Sequence, residues 1–275
     1  MLEKAKGIVL REKIGELKKF FLEIDSVIIA YSGGVDSTFL LKVASEVLKD
    51  KVLAVTAKSP LHPDREYCAA KEEARKLGAR FLSVSTDELS MEKFTDNPPE
   101  RCYWCKRELF GKLLEIAGQR NIKCVADGSN FDDLEDFRPG RKAAEEMGVE
   151  SPLCKVEFTK KEIRILSREL GLSTWNKPGF ACLASRIPYG TAITQEILEI
   201  VNRAEEYLLA LGIGQIRVRH YGKTAKIEVE SIDMQKILDH REEILKLFRS
   251  LGYFYVMLDL QGYRPGGMNR IMQTL

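Results

Sequence analysis

Ser32-Gly33-Gly34-Val35-Asp36-Ser37 is the stretch of this sequence whose residue types are best suited to chemistry. Two adjacent glycines let a backbone turn tightly and aim N–H groups at an anion, Ser32 and Ser37 add hydroxyl donors, and Asp36 supplies a carboxylate. The stretch follows the apolar run Val27–Tyr31 and precedes Phe39, Leu40, Val43, Ala44, Val47 and Leu48 at helical spacing. Strand, glycine turn and helix N-terminus therefore succeed one another, and the positive end of the helix favours a phosphate there. The plainer alternative is a glycine turn with an Asp N-cap. A Walker A loop is excluded, because Asp36 stands where that motif needs a lysine before the closing Ser37.

Six cysteines stand at 68, 102, 105, 124, 154 and 182, in a chain long enough to fold without disulfides. Cys102 and Cys105 form a C-x-x-C just ahead of a helix expected from about Lys106 to Gly118, and Cys182 lies in an irregular loop. A redox pair or half of a zinc site both suit a C-x-x-C, although a closed zinc site lacks its fourth ligand. Cys102, Cys105 and Cys182 together suit a 4Fe-4S cluster with one open iron. Cys68, Cys124 and Cys154, in helix, strand and strand-like contexts, read as small buried residues. Arg217 and Arg219 alternate along a strand, so both guanidinium groups share a face, which either clamps a phosphomonoester or is solvated. Asp127, Asn130, Asp132 and Asp133 end a strand at its C-terminal edge, as ligands for a bound molecule or as turn residues that cap a helix.

The elements that must position these groups alternate. After a helix over 7–24 come strands at 27–31, 52–57, 80–85 and 122–126, separated by helices, which predicts an α/β fold: a parallel sheet with helices on both faces. Ser90–Cys105 interrupts the rhythm as a long connection suited to an active-site loop, and Thr174–Tyr189 is irregular. The order then changes to a helix at 195–211, a hairpin at 215–230, a helix at 234–251 and a strand at 253–260, a small α+β module. We expect one domain over 1–185 and a second over 186–275.

With 275 residues, 44% of them hydrophobic, the chain can bury a substantial core. Its net charge of +2 carries no footprint of obligatory nucleic-acid binding, and charges interrupt every apolar stretch near the N-terminus. No membrane association is expected, and the cytoplasm is the expected location.

The glycine loop resembles the PP-loop of ATP pyrophosphatases, which retain the β- and γ-phosphates as the leaving group and transfer AMP to a substrate oxygen. The segments SGGVDSTFLLKVA, CVADGSNFDDLEDFRPGRKAAEEMGVESPL, KPGFACLASRIPYGTAIT and IRVRHYGKTAKIEVE are together similar to the LarE family of ATP-dependent sulfur transferases, over about residues 10–270. The resemblance implies adenylation of a carboxylate of pyridinium-3,5-biscarboxylic acid mononucleotide and its conversion to a thiocarboxylate, in biosynthesis of a nickel-pincer nucleotide. It implies Mg-ATP held by Ser32, Gly33, Gly34, Asp36, Ser37 and the strand backbone at Ala57, and substrate contacts from Arg217, Arg219, Ser185 and Arg186. Cys182 matches the cysteine that supplies sulfur. The added C-x-x-C resembles that of a three-cysteine subgroup, and the resemblance implies a 4Fe-4S cluster and cluster-bound sulfide in place of sacrifice of Cys182. Glu205 and Glu228 are metal candidates by the same analogy, and the family tends to form homo-oligomers. A tRNA thiolase of the same superfamily, or an ATP and iron-sulfur binding module without turnover, are the competing readings.

Overall fold

A run that is apolar at every position suits a strand covered on both faces, and Val27–Ala30 forms such an inner strand, β1, of a parallel sheet. The computed structural model describes residues 2–134 and 139–264. Along the chain run α1 (Leu2–Ile24), β1, α2 (Val35–Leu48), β2 (Val52–Lys58), α3 (Asp64–Lys76), β3 (Arg80–Ser85) and the short α4 (Glu92–Thr95). They are followed by α5 (Arg101–Gln119), β4 (Cys124–Ala126), α6 (Pro139–Glu146), α7 (Pro152–Lys155) and α8 (Lys160–Glu169). The last elements are α9 (Gln195–Ala210), β5 (Ile216–Tyr221), β6 (Thr224–Val229), α10 (Met234–Asp239), α11 (Arg241–Ser250) and β7 (Tyr255–Leu258).

The chain divides into two compact units, one of Met1–Glu88 with Glu100–Phe180 and the other of Leu89–Pro99 with Ala181–Leu275. In the first, the strands are parallel in the order β3-β2-β1-β4, with Val27 level with both Val52 and Cys124. Successive side chains of a strand point to opposite faces. Val27, Ile29, Val52 and Ala54 accordingly join a core with Leu17, Phe21, Phe39, Phe158 and Ile163, while Ile28, Leu53, Val55 and Val125 pack against Phe110, Leu113 and Ala143. The chain steps outward from β1 to β3 and then returns to the other side of β1. The crevice beyond the C-terminal ends of β1 and β4 is therefore a topological switch point, where open sheets of this kind bind ligands.

In the second unit β5 and β6 form an antiparallel hairpin, and β7 pairs parallel to β6. Val218, Ala225, Ile227, Ile237, Ile244 and Phe248 share its core. Asn97, fully buried with a left-handed φ of 56°, donates to the carbonyls of Pro188 (2.7 Å) and Thr191 (2.9 Å) and so ties Leu89–Pro99 into this unit.

Several sequence expectations change. Cys102 and Cys105 lie inside α5 and not ahead of it, because Pro98 and Pro99 fall before the Glu100 cap and nothing interrupts the helix after Arg101. The helix expected over 234–251 is two, separated at His240, which lets Ile237 and Ile244 face one core. Cys154 lies in the short α7, begun by Pro152 at a position where its missing N–H costs nothing, and not in a strand-like segment.

Candidate nucleotide site and a buried arginine cluster

Gly33 has φ +69°, and a Cβ there would lie 2.7 Å from Cβ of Ala70 and 2.8 Å from its Cα, so α3 packs against the loop too closely for any side chain. The serine hydroxyls knit the turn: Ser32 Oγ and Ser37 Oγ are 3.0 Å apart, and Gly34 N donates to Ser32 Oγ at 3.3 Å. The first helical bond of α2 runs from Thr38 N to Gly34 O at 3.0 Å, so the amides of Val35, Asp36 and Ser37 occupy the first turn, where the helix itself supplies no acceptors. Gly128, just after β4, approaches the same turn, since a Cβ there would meet Ser37 N at 3.0 Å. Ala57 is half-buried at the C-terminal end of β2, and the neighbouring Thr56 hydroxyl donates to Tyr31 O at 2.7 Å. Burial pushes the Tyr31 phenol up to about 12, so it stays a neutral hydrogen-bonding group behind the loop.

Asp36 organises the rest. Asn130 Nδ2 donates to its Oδ1 at 3.4 Å, and the Lys160 ammonium pairs with its Oδ2. Asn130 Oδ1 accepts from Asp132 N at 3.0 Å, and Asp132 Oδ2 accepts from Lys160 N at 2.9 Å. The polar run after β4 is thus brought to the glycine loop. Asp127 accepts from Ser129 N (3.1 Å) and the Ser151 hydroxyl (2.8 Å), and Asp133 accepts from Asn130 N (3.0 Å), so these two shape the turn. Lys177 also reaches the loop, donating to Gly33 O at 3.2 Å while paired with Glu66 at 3.0 Å. Neither lysine carries a local sequence signal: they meet the loop across 124 and 144 residues of chain.

Among the described residues no group of three or more His, Cys, Asp or Glu could hold a metal ion. Magnesium in nucleotide sites commonly has only one or two protein carboxylates and takes its other ligands from phosphate and water. Asp36 beside the loop fits that donor set. Cys102 and Cys105, three residues apart on α5, lie on one side of the helix, as two ligands of one cluster require. Cys102 is exposed, and Cys105 Sγ donates to the buried Glu88 Oε1 at 3.7 Å. Contrary to expectation Cys68 is exposed, because the buried face of α3 is made by Ala70, Glu73 and Ala74. Burial, with Glu150 nearby, pushes the Cys124 thiol up to about 11, and Cys154 Sγ donates to Asn130 O at 3.0 Å. A cavity of about 400 Å³ lined by Leu114, Ile122, Cys124 and Glu150 lies at the N-terminal end of β4, the sheet edge opposite the loop.

The second unit gathers the remaining residues. Ile216 and Val218 point into its core, so Arg217 and Arg219 share the other face of β5, and both are buried, which removes the solvated-face alternative. Arg219 Nε and Nη2 donate to Glu228 Oε2 at 2.9 and 2.7 Å, and its Nη1 donates to Ser185 O at 2.8 Å. Arg186 makes a two-pronged pair with Glu205, both bonds 2.8 Å, and its Nη1 donates to Cys182 O at 3.1 Å and Ser185 Oγ at 2.9 Å. Glu205 Oε1 also accepts from Val218 N at 2.9 Å. Two guanidinium groups, Arg186 and Arg219, thus each meet a carboxylate and donate to the backbone at Cys182 and Ser185, while Arg217 Nη1 donates to Ile216 O at 2.6 Å. Arg217, over the ring of Tyr263 at 5.1 Å, is pushed down to about 10 by burial and then by Arg186.

A family model described as NAD synthase matches residues 10–101. Over the whole chain, an uncharacterized protein of Synechocystis is 43% identical over 266 residues, 96% of this chain and 99% of its own. Pyridinium-3,5-bisthiocarboxylic acid mononucleotide synthase of Lactiplantibacillus plantarum is 39% identical over 248 residues, 90% of each chain. An uncharacterized protein of Methanocaldococcus jannaschii is 35% identical over 238 residues, 86% of this chain and 90% of its own.

Proposed function

This chain belongs to the LarE family of ATP-dependent PP-loop sulfur transferases, and we propose that it converts a carboxylate of pyridinium-3,5-biscarboxylic acid mononucleotide to a thiocarboxylate for a nickel-pincer nucleotide. The observation that carries the reading is the Ser32–Ser37 turn at the switch point of a parallel sheet, with Asp36 beside it and no Walker lysine. A carboxylate oxygen attacks the α-phosphorus of ATP, the bond to the bridging oxygen breaks, and pyrophosphate leaves with the electron pair. Sulfur then attacks the acyl carbon of the adenylate and AMP departs. Carboxylates are poor electrophiles, and adenylation supplies the leaving group they lack.

In this reading Ser32, Gly33, Gly34 and Ser37 hold the β- and γ-phosphates, the Ala57 backbone meets the nucleotide, and Asp36 is the magnesium ligand. Arg217 takes the phosphate of the mononucleotide. Arg219 and Arg186, committed to Glu228 and Glu205, position that site and the Cys182 backbone. The same pairs engage the two glutamates proposed as metal ligands, so a metal there would have to displace an arginine. Cys102, Cys105 and Cys182 are proposed ligands of a 4Fe-4S cluster, which when bound supplies sulfide at its open iron. Self-association is part of the proposal, since Phe254, Tyr255 and Met257 are exposed at the sheet edge of β7, and a purely monomeric sedimentation profile would remove it.

The test is turnover of purified protein with Mg-ATP, the mononucleotide and sulfide. AMP and pyrophosphate are the expected nucleotide products, and Asp36→Ala and Ser37→Ala each lower turnover by about two orders of magnitude, the loss typical of an oriented donor to developing charge. In protein reconstituted anaerobically with iron and sulfide, Cys102→Ala and Cys105→Ala should lose both iron and repeated turnover. Single-turnover activity in those variants, with Cys182 converted to dehydroalanine by loss of hydrogen sulfide, would show instead that Cys182 is consumed.

A further inference from the structure

The donors of the loop itself are neutral amides and hydroxyls, yet the group that leaves it on adenylation carries several negative charges. Two ammonium groups reach the loop from elsewhere in the first unit. Lys160 is the first residue of α8, fixed by its amide on Asp132 and by the Thr159–Glu162 capping box, and its Nζ rests on Asp36. Lys177 follows α8, and the helix holds it too: Arg164 Nη1 donates to Trp175 O at 2.9 Å and Nη2 to Lys177 O at 3.0 Å. Helix α8 is itself seated on the loop's own helix through Ile163 and Leu166 in the shared core, and Phe158, just before its Thr159 cap, packs edge to face on Phe39 at 5.5 Å. One element therefore delivers both cations to the two ends of the turn, Asp36 and Gly33.

Each cation is also parked rather than sealed. The Lys160 and Lys177 side chains are 35% and 24% exposed, and their partners Asp36 and Glu66 are 18% and 21% exposed, so an arriving anion can reach both. We propose that Lys160 and Lys177 grip the pyrophosphate leaving group, exchanging their resting contacts on Asp36 and Gly33 O for phosphate oxygens. As the bond between the α-phosphorus and the bridging oxygen breaks, the electron pair passes to pyrophosphate, and the two ammonium groups oppose that growing charge. Asp36 and Glu66 hold them ready and shield the neighbouring backbone from unpaired cations between turnovers. The proposal rests on the reading of this turn as a pyrophosphate site.

The experiment compares product inhibition by magnesium pyrophosphate and by AMP in wild type, Lys160→Met, Lys177→Met and the two Lys→Arg variants, with thermal melts as a check on folding. Loss of one charge-assisted bond should weaken pyrophosphate inhibition roughly tenfold to a hundredfold in each Met variant. AMP inhibition should stay within about twofold, a change well under the tenfold that 1.4 kcal/mol represents, and the arginine variants should recover most of the loss. Should a Met variant fail to fold, Lys→Gln at the same position takes its place. Equal weakening of both inhibitors would mean that the lysines only brace the loop, and unchanged pyrophosphate inhibition would mean that they do not touch it; either overturns the proposal. Wild-type protein that pyrophosphate does not inhibit would instead overturn the underlying reading of the loop, a failure visible without any variant.

Discussion

Arg217 and Arg219 stand two residues apart on β5 and are both buried, yet their surroundings differ. Arg219 is neutralised by Glu228, a carboxylate also held by Lys226 at 2.9 Å. Arg217 lies beside Arg186 and a tyrosine ring, where burial disfavours its charge. An anionic ligand would offset that cost. Arg217→Ala should therefore raise the KM for the mononucleotide by about tenfold or more, the loss of one hydrogen bond to a charged group, while the KM for ATP stays unchanged. Equal effects on both substrates in steady-state kinetics would count against a phosphate role. The alternation that puts both arginines on one face was legible in the sequence, because strand periodicity is local. The carboxylates around them were not, because Glu205 and Glu228 come from α9 and β6 and nothing in Arg217-Val218-Arg219 says where each carboxylate lies.

The elements explain what else could be read. The glycine turn was legible because strand, turn and helix are consecutive, and the parallel sheet because the apolar runs of β1 and β2 and the alternating β3 are separated by helical spacing. Lys160 and Lys177 are not legible in the sequence because the fold, not their neighbours in sequence, carries them to the loop. The helix holding the C-x-x-C begins at Arg101 and not near Lys106, since a proline pair marks the start of a helix as readily as a loop. The short turn Leu183–Arg186 and α9 are joined by the Arg186–Glu205 pair, whose side chains are 0% and 2% exposed. Removing one partner of such a pair strands a charge away from water. Glu205→Ala should cost about 3–5 kcal/mol in urea unfolding, whereas Arg186→Met with Glu205→Leu should recover much of the loss. A stability cost below about 1 kcal/mol for Glu205→Ala, the range of exposed pairs, would show that this link does not hold the segment.

At the scale of the whole molecule, two compact units divide the chemistry. The first carries the glycine turn with Lys160 and Lys177 and the Cys102–Cys105 pair of thiols, and the second carries Cys182 with the Arg186–Glu205 and Arg219–Glu228 pairs. Among the described residues no helix is long and apolar enough to cross a membrane. The proposed reaction couples cleavage of ATP between its α- and β-phosphates to the fate of a second, phosphate-bearing substrate. The most direct test follows the nucleotide and the pyridinium mononucleotide together in one reaction with Mg-ATP and sulfide. The account predicts that AMP and pyrophosphate appear only when the mononucleotide is present, and that its mass changes by replacement of a carboxylate oxygen with sulfur. Formation of ADP and phosphate, or release of pyrophosphate with the carboxylate left unthiolated while a tRNA is thiolated in its place, would contradict it.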